Sequence, residues 1–485
     1  MSNNDSIVVK NDELLDKSSL FITSIDGLNT EYLPIVQQLL KVWQDHYERN
    51  VLRSRYYAAH EAFHDFGIGI PDRIKNKVRP MIAWPAKAVR ALADLSVFQG
   101  FETDDEDKYG VAQIVADNQL DVEMSQAIIS AYIHSCSFLT VSADENNRVH
   151  IVPRSADWSA AIWDNIHRKV SAALTITDAD REGHVTQFVV WLPDKVITIG
   201  RDRLMWKVVS EQTTNLGEVN VIPLAYDAQL NRPFGRSRIS RTLMSLTNIG
   251  YRTMVRMEAT AEFYSAPRLW FLGLDPDSFS TDTWSSLMSS INAVSKDDDG
   301  DSPTITQISQ ASMQPHSDML RTVALLVAAE TNLPVNDLGI TLDNPASAEA
   351  MAAAERKLSR EADRQNVRFG AAIKQAVIQA VRLRDGLKDI PQELAAIRSI
   401  WAPTKEVSDA ALADAFTKIA SVIEGYSTSR VGLTRAGLKP EEIASLKADL
   451  ARMQARSVLD DLTSEEVEYN GQTSTVEQAG QSSEQ

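Results

Sequence analysis

The sequence predicts an α+β fold, mainly helical, and three observations carry the reading. Apolar residues recur at helical spacing over three long stretches, about 30–63, 236–263 and 345–384. Between the first two, from Phe138 to Leu224, the pattern changes to short β-branched runs separated by Asp, Asn and Gly. The 485 residues also exceed what one hydrophobic core usually serves, so about two to four structural units are expected.

Taken in order, residues 1–27 are rich in Asp, Asn, Ser and Lys and read as a loose, disordered arm. Leu33, Val36, Leu40, Trp43 and Tyr47 mark one face of a helix from Thr30 to Phe63, which Gly67, Gly69 and Pro71 end. A second helix spans Pro85 to Phe98 and stops near Gly100. Ile114, Val115, Ile128, Ile129 and Ile133 make 107–135 helical. The runs Phe138–Val141, Val149–Val152, Val170–Thr177, Val185–Leu192 and Val208–Ser210 read as one antiparallel sheet, so 28–235 forms an α+β domain.

The helix over 236–263 is about 40 Å long. A mixed segment, 267–314, contains Arg268-Leu269-Trp270-Phe271-Leu272, a helix near Trp284–Ile291 and the acidic loop Asp297–Asp301. A shorter helix, 316–331, runs up to Pro334, and 335–344 is a loop. Asn344 and Pro345 supply a cap and a first turn for the longest helix. Arg382 and Arg384 suit its C-terminal dipole, and Gly386 ends it. Helices near 409–424 and 440–456 follow. Residues 457–485 carry seven acidic residues and no basic one, and read as a disordered tail.

The formal net charge is −17, which argues against a module that grips nucleic acid but not against a surface past which DNA slides. Cys136 is the only cysteine, so an intrachain disulfide and a cysteine metal cluster are excluded. No apolar run approaches bilayer length, and Met1–Ser24 lacks a signal-type stretch. A protein of a reducing cytoplasm, with no membrane partner, is expected.

His60-Glu61-Ala62-Phe63-His64 fits the H-E-x-x-H pattern of zinc helices. The longer form would put a third histidine at position 70, which is Ile70, and Asp65 is a poor neighbour for such a helix. A solvated helix end fits better, and a zinc hydrolase is the competing reading. Asp297-Asp298-Asp299-Gly300-Asp301 is contiguous rather than alternating, unlike an EF-hand loop. Phosphate-loop and nucleophile-elbow motifs are absent. No catalytic residue, metal ligand or cofactor is expected. Arg238, Arg241, Arg252 and Arg256 fall within about 60° on a helix with no acid before Glu258. That basic stripe is either a face paired with acidic neighbours or simply solvated, or a contact with a partner subunit or a phosphate backbone.

Four stretches carry a family resemblance. The first is Tyr56-Tyr57, then Phe66-Gly67-Ile68-Gly69-Ile70-Pro71 and Trp84-Pro85-Ala86-Lys87-Ala88 through Gly100-Phe101. The second is Pro223-Leu224 through Phe234-Gly235-Arg236-Ser237-Arg238-Ile239. The third is Glu262-Phe263-Tyr264-Ser265-Ala266-Pro267-Arg268. The last is Leu333-Pro334, then Asn344-Pro345-Ala346-Ser347-Ala348-Glu349-Ala350, with Trp401 after it. In this order they resemble the portal proteins of tailed phages, above all those of siphophages infecting actinobacteria, over residues 28–456.

The resemblance implies names for the parts: a wing (28–235 and the long helix 348–400), stem helices 236–266 and 315–333, and a clip 267–314. It also implies a tunnel loop 334–347, a crown 401–458 and a tail 459–485. It places Val335, Asn336, Asp337, Leu338 and Asp343 in the tunnel loop and Arg268, Trp270 and Trp284 at the clip interface. It further implies a homo-oligomeric ring, a dodecamer, with double-stranded DNA passing through its channel. The implied protein partners are terminase, then a head-completion adaptor, and the major capsid and scaffolding proteins. The implied location is the portal vertex of the virion, after assembly in the host cytoplasm. Another capsid or scaffold interaction protein is the remaining alternative.

Overall fold

The computed structural model describes residues 14–60, 80–103, 107–203, 205–264, 269–272, 304–307, 312–339, 348–405, 409–438, 442–443 and 445–456. The chain divides into two compact units, Met1–Thr404 and Lys405–Gln485.

The first unit opens with a 3-10 turn, Lys17–Leu20, in which the Asp16 carboxylate accepts from the Ser18 amide at 2.8 Å. Strand β1 (Ile25–Asp26) follows. Leu15, Leu20, Ile22 and Ile25 are buried, so the expected loose arm is corrected over residues 14–26. Four apolar residues at uneven spacing fit neither structural period, yet tertiary packing docks them. Helix α1 (Leu33–Tyr57) has Pro34 in its first turn and buries Val36, Leu39, Leu40, Trp43 and Tyr47. It ends at Tyr57 rather than Phe63, where Ala59 takes a left-handed φ of 55°.

Next come α2 (Trp84–Ala93) and β2 (Phe98–Glu102). The stretch 107–135 is two helices, α3 (Val111–Asp117) and α4 (Leu120–His134). Asn118 makes the break. Its amide donates to Ile114 O at 2.9 Å and its carbonyl accepts from the Ile151 amide at 2.8 Å. Such local competition with the helix ladder is typical of Asn.

The β region forms two sheets, not the one expected. β3 (Cys136–Ala143) and β4 (Val149–Ser155) form a hairpin. β5 (Ser159–Asp164), β6 (Lys169–Ala179), β7 (Val185–Trp191), β8 (Lys195–Asp202) and β9 (Met205–Thr213) form an antiparallel meander, with β1 added in parallel to β9. β10 (Val221–Ala225) turns back to pair with β3, giving a three-stranded sheet in the order β10-β3-β4.

Beyond it lie α5 (Arg241–Tyr264) and an antiparallel strand pair, β11 (Leu269–Leu272) with β12 (Thr304–Gln307). Then come α6 (Gln314–Thr331), a 3-10 turn Val335–Leu338, and α7 (Ala348–Asp385). α7 stops at Asp385; α8 (Gln392–Ala396) and β13 (Arg398–Trp401) follow, and β13 pairs antiparallel with β2. Gly386 (φ 65°) supplies the left-handed residue that closes the helix, where the sequence reading ends it, and the rest of the 348–400 segment is α8 and the start of β13.

Leu358, Ala362, Phe369, Ile373, Ala376, Val377, Ala380 and Val381 keep one stripe of α7 in the main core. That core also takes in α2, α4, β3 and the bases of α5 and α6. A second core joins residues 15–25, α1 and the six-stranded sheet. The second unit contains α9 (Asp409–Ala420) and α10 (Arg430–Arg435), with the Phe416 and Tyr426 rings 5.8 Å apart. It begins at Lys405 rather than 401, because Trp401 belongs to β13.

Candidate functional site

α5 and α6 are antiparallel partners. At one end Ser240 Oγ donates to Glu330 Oε1 at 2.6 Å, and at the other Thr260 Oγ1 meets His316 Nε2 at 3.4 Å. Twenty-four residues give α5 a length of about 36 Å. Thr247, Thr253 and Thr260 each turn the hydroxyl back to the carbonyl four residues earlier, which satisfies their polar groups within the helix. The near end of the pair is anchored in the main core by Leu243, Leu246, Val323 and Val327. Met319, Leu325 and Leu326 on α6 stay substantially exposed, Leu326 at 53%.

The basic stripe needs one correction. α5 starts at Arg241, because the Ser240 hydroxyl accepts from the Leu243 amide at 3.0 Å and caps the helix there. Arg238 precedes the helix, and its side chain is only 4% exposed. Its Nε donates to Ala88 O at 2.7 Å, and Nη2 to Thr331 O at 2.8 Å. Nη1 donates to Tyr226 Oη at 3.2 Å and to Glu361 Oε1 at 2.6 Å. Glu361 also accepts from Tyr226 Oη at 2.5 Å and from Asn332 Nδ2 at 3.2 Å. Burial, above all, pushes the Tyr226 hydroxyl well above the usual phenol range, so it stays protonated and donates. Removing one partner of a buried pair of this kind costs about 3–5 kcal/mol, because the other charge is left buried alone. Gly235 makes the approach possible. Its φ is 71°, and a β-carbon there would run into Tyr226 O. Arg241 is exposed, and Arg252 and Arg256 are partly so.

After α6, Asn332 adopts a left-handed cap conformation (φ 56°) and the 3-10 turn begins behind Pro334. Asn336 and Asp337 are exposed, Val335 is half-buried, and Leu338 packs against the main core. The expected loop thus starts as an ordered turn closed by Gly339 (φ 77°). Asp343 lies outside the described residues, as do Arg268, Trp284, the Asp297–Asp301 loop and the 457–485 tail. Trp270 stands on β11 opposite Thr306.

His60 follows the end of α1, and the rest of its motif is outside the described residues. Among the described residues no set of three or more His, Cys, Asp and Glu side chains is arranged to hold a metal ion. A polar cluster that the sequence did not signal surrounds His134. Its Nε2 is 2.8 Å from Ser54 Oγ and 3.5 Å from Asp157 Oδ1; Nδ1 is 3.2 Å from Ser130 Oγ and 3.3 Å from Ser155 Oγ. Ser130 Oγ also donates to Ser155 Oγ at 3.1 Å, and Ser155 Oγ donates to Asp157, so the ring and its neighbours form one closed hydrogen-bonded cluster. Its residues come from α1, α4, the end of β4 and the β4–β5 turn, and no local motif connects them.

The described residues thus give a helix pair rooted in an α+β body, with a strand pair between its two helices in chain order. The chain belongs to the phage portal protein family described as SPP1 Gp6-like, whose family model matches residues 37–434. The portal protein of Mycobacterium phage L5 is 29% identical over 401 residues, covering 79% of this chain and 81% of the relative. That of Mycobacterium phage D29 is 28% identical over 399 residues, with the same coverage. Among solved structures, a chain in the neck of a native gene transfer agent particle matches at TM-score 0.46 and 11% identity, covering 81% of this chain and 94% of that one. A chain from the native particle's virion matches at TM-score 0.45 and 11% identity, with the same coverage. Portal proteins are virion components, and among the described residues no helix is long and apolar enough to cross a membrane.

Proposed function

We propose that the chain is the repeating subunit of a closed ring, a dodecamer, set at one capsid vertex as the conduit for DNA packaging and ejection. The observation that carries this is the α5–α6 pair. One side is rooted in the body, while Met319, Leu325 and Leu326 remain exposed. Exposed apolar side chains on a helix are served by a partner, and a head-to-tail contact repeated by rotation supplies one to every subunit and closes a ring. In this reading the pair lines the channel and residues 334–347 lie at its narrowest point. The segment has Asp337 and Asp343 and no Lys or Arg, which suits a wall that lets phosphate pass. The 267–314 region docks terminase and later the head-completion adaptor, and the body meets the capsid and scaffolding proteins in the host cytoplasm. The role is structural, with no reaction and no cofactor.

Sedimentation and negative-stain imaging of the purified full chain test the reading. A ring with a through-channel is expected. A folded chain that stays monomeric at micromolar concentration, with or without scaffolding protein, would overturn it.

A further inference from the structure

The root of the helix pair holds a charge pair that burial alone does not call for. An apolar pair of similar volume is often as stable as a buried ion pair, or more so. Apolar contact, however, is non-directional and tolerates sliding. A guanidinium offers donors in a rigid planar fork, so it fixes one geometry. Arg238 spends that fork on four separate pieces of chain: α2 at Ala88 O, the residue after β10 at Tyr226, α7 at Glu361 and the end of α6 at Thr331 O.

Glu361 completes the arrangement from the other side. One oxygen takes Arg238 and Tyr226, and the other takes Asn332, the residue that closes α6. Asn332 opens the segment that contains the Val335–Leu338 turn, and Glu361 lies on the helix into which that segment leads. The end of α6 is thus tied to α7, at a point thirteen residues past its first residue Ala348, and through Arg238 to the rest of the body.

We propose that Arg238 and Glu361 form a latch that sets the tilt of the α5–α6 pair and the base of residues 333–347 against the body, and that opening it is the route by which the pair changes tilt. The latch stands on the contacts above. Its place beside the DNA path rests on the channel reading.

Hydrogen exchange with mass spectrometry on the full chain tests it. The variants are Glu361→Gln and the double replacement Arg238→Met with Glu361→Leu, which removes both charges and roughly keeps volume. In the double variant, unfolding of the body should stay near wild type. Amides of 241–252 and 323–338 should exchange at least about tenfold faster relative to the strands of β6–β8, because local opening no longer breaks directed bonds. If that variant fails to fold, Glu361→Gln gives the same comparison. Unchanged relative exchange at the root would overturn the latch. So would a uniform rise across sheet and root, which would make the pair an ordinary core contact. Packaging separates the two readings: a loosened root with wild-type packaging would keep the latch and remove it from the DNA path.

Discussion

The Ser399 hydroxyl fills the space that a β-carbon on Gly370 would need. Ser399 Cβ and Trp401 Nε1 close the same space at 3.0 and 3.2 Å. Gly370 is therefore where α7 lies flush on β13. Gly370→Ala should destabilise the body by about 1–3 kcal/mol through overpacking, despite alanine's better helix propensity. A urea melt reads this out, and a change within about 0.5 kcal/mol would mean that the contact yields.

His134 gives the body a dependence on pH. Burial, first, and the charge of Arg53 hold its pKa below the ordinary histidine value, with Asp157 opposing. The unfolded chain binds a proton near pH 6.5 that the folded chain resists, so stability is full above that pH and falls as pH drops below it. One such group contributes a slope of at most about 1.4 kcal/mol per pH unit. His134→Gln should flatten that part of the curve between pH 6.5 and the lower folded value. An identical slope in the variant would assign the effect elsewhere.

Asp337 is exposed on the turn after α6. In a plain connector, Asp337→Lys should be nearly silent. In a channel constriction it replaces one negative charge by one positive charge in every subunit around the DNA path. Assembly should then be normal while packaging or ejection is impaired, with DNA retention that weakens steeply with salt. Wild-type packaging by assembled variant rings would take the turn out of the channel.

Zinc content tests the His60–His64 motif. Replacing both histidines by Gln should leave metal content and assembly as in wild type. Stoichiometric zinc that disappears in the variant would restore the hydrolase reading.

Elements with strong periodicity were legible in the sequence. α1, α5, α6 and α7 follow the helical spacing, and the meander follows its β-branched runs. Most of the misses were decided by a partner far away in the chain. Residues 14–26 gain order only by docking on the six-stranded sheet, and β13 exists only because β2 is there to pair with it. Arg238 falls in the basic stripe only when the helix is started at 236, five residues before its first residue Arg241. Its burial depends on Glu361, which lies 123 positions away. The His134 cluster drew on three separated segments and left no local trace.

The pairing of β2 with β13 also sets a clock on synthesis. Phe98 and Trp401 are paired across most of the first unit. A ribosome adding about 5–20 residues per second needs roughly 15–60 s to travel between them. Throughout that interval β2 lacks this partner, and for most of it the main core lacks α7. The newborn body therefore stays open along this edge until the last residues of its first unit emerge.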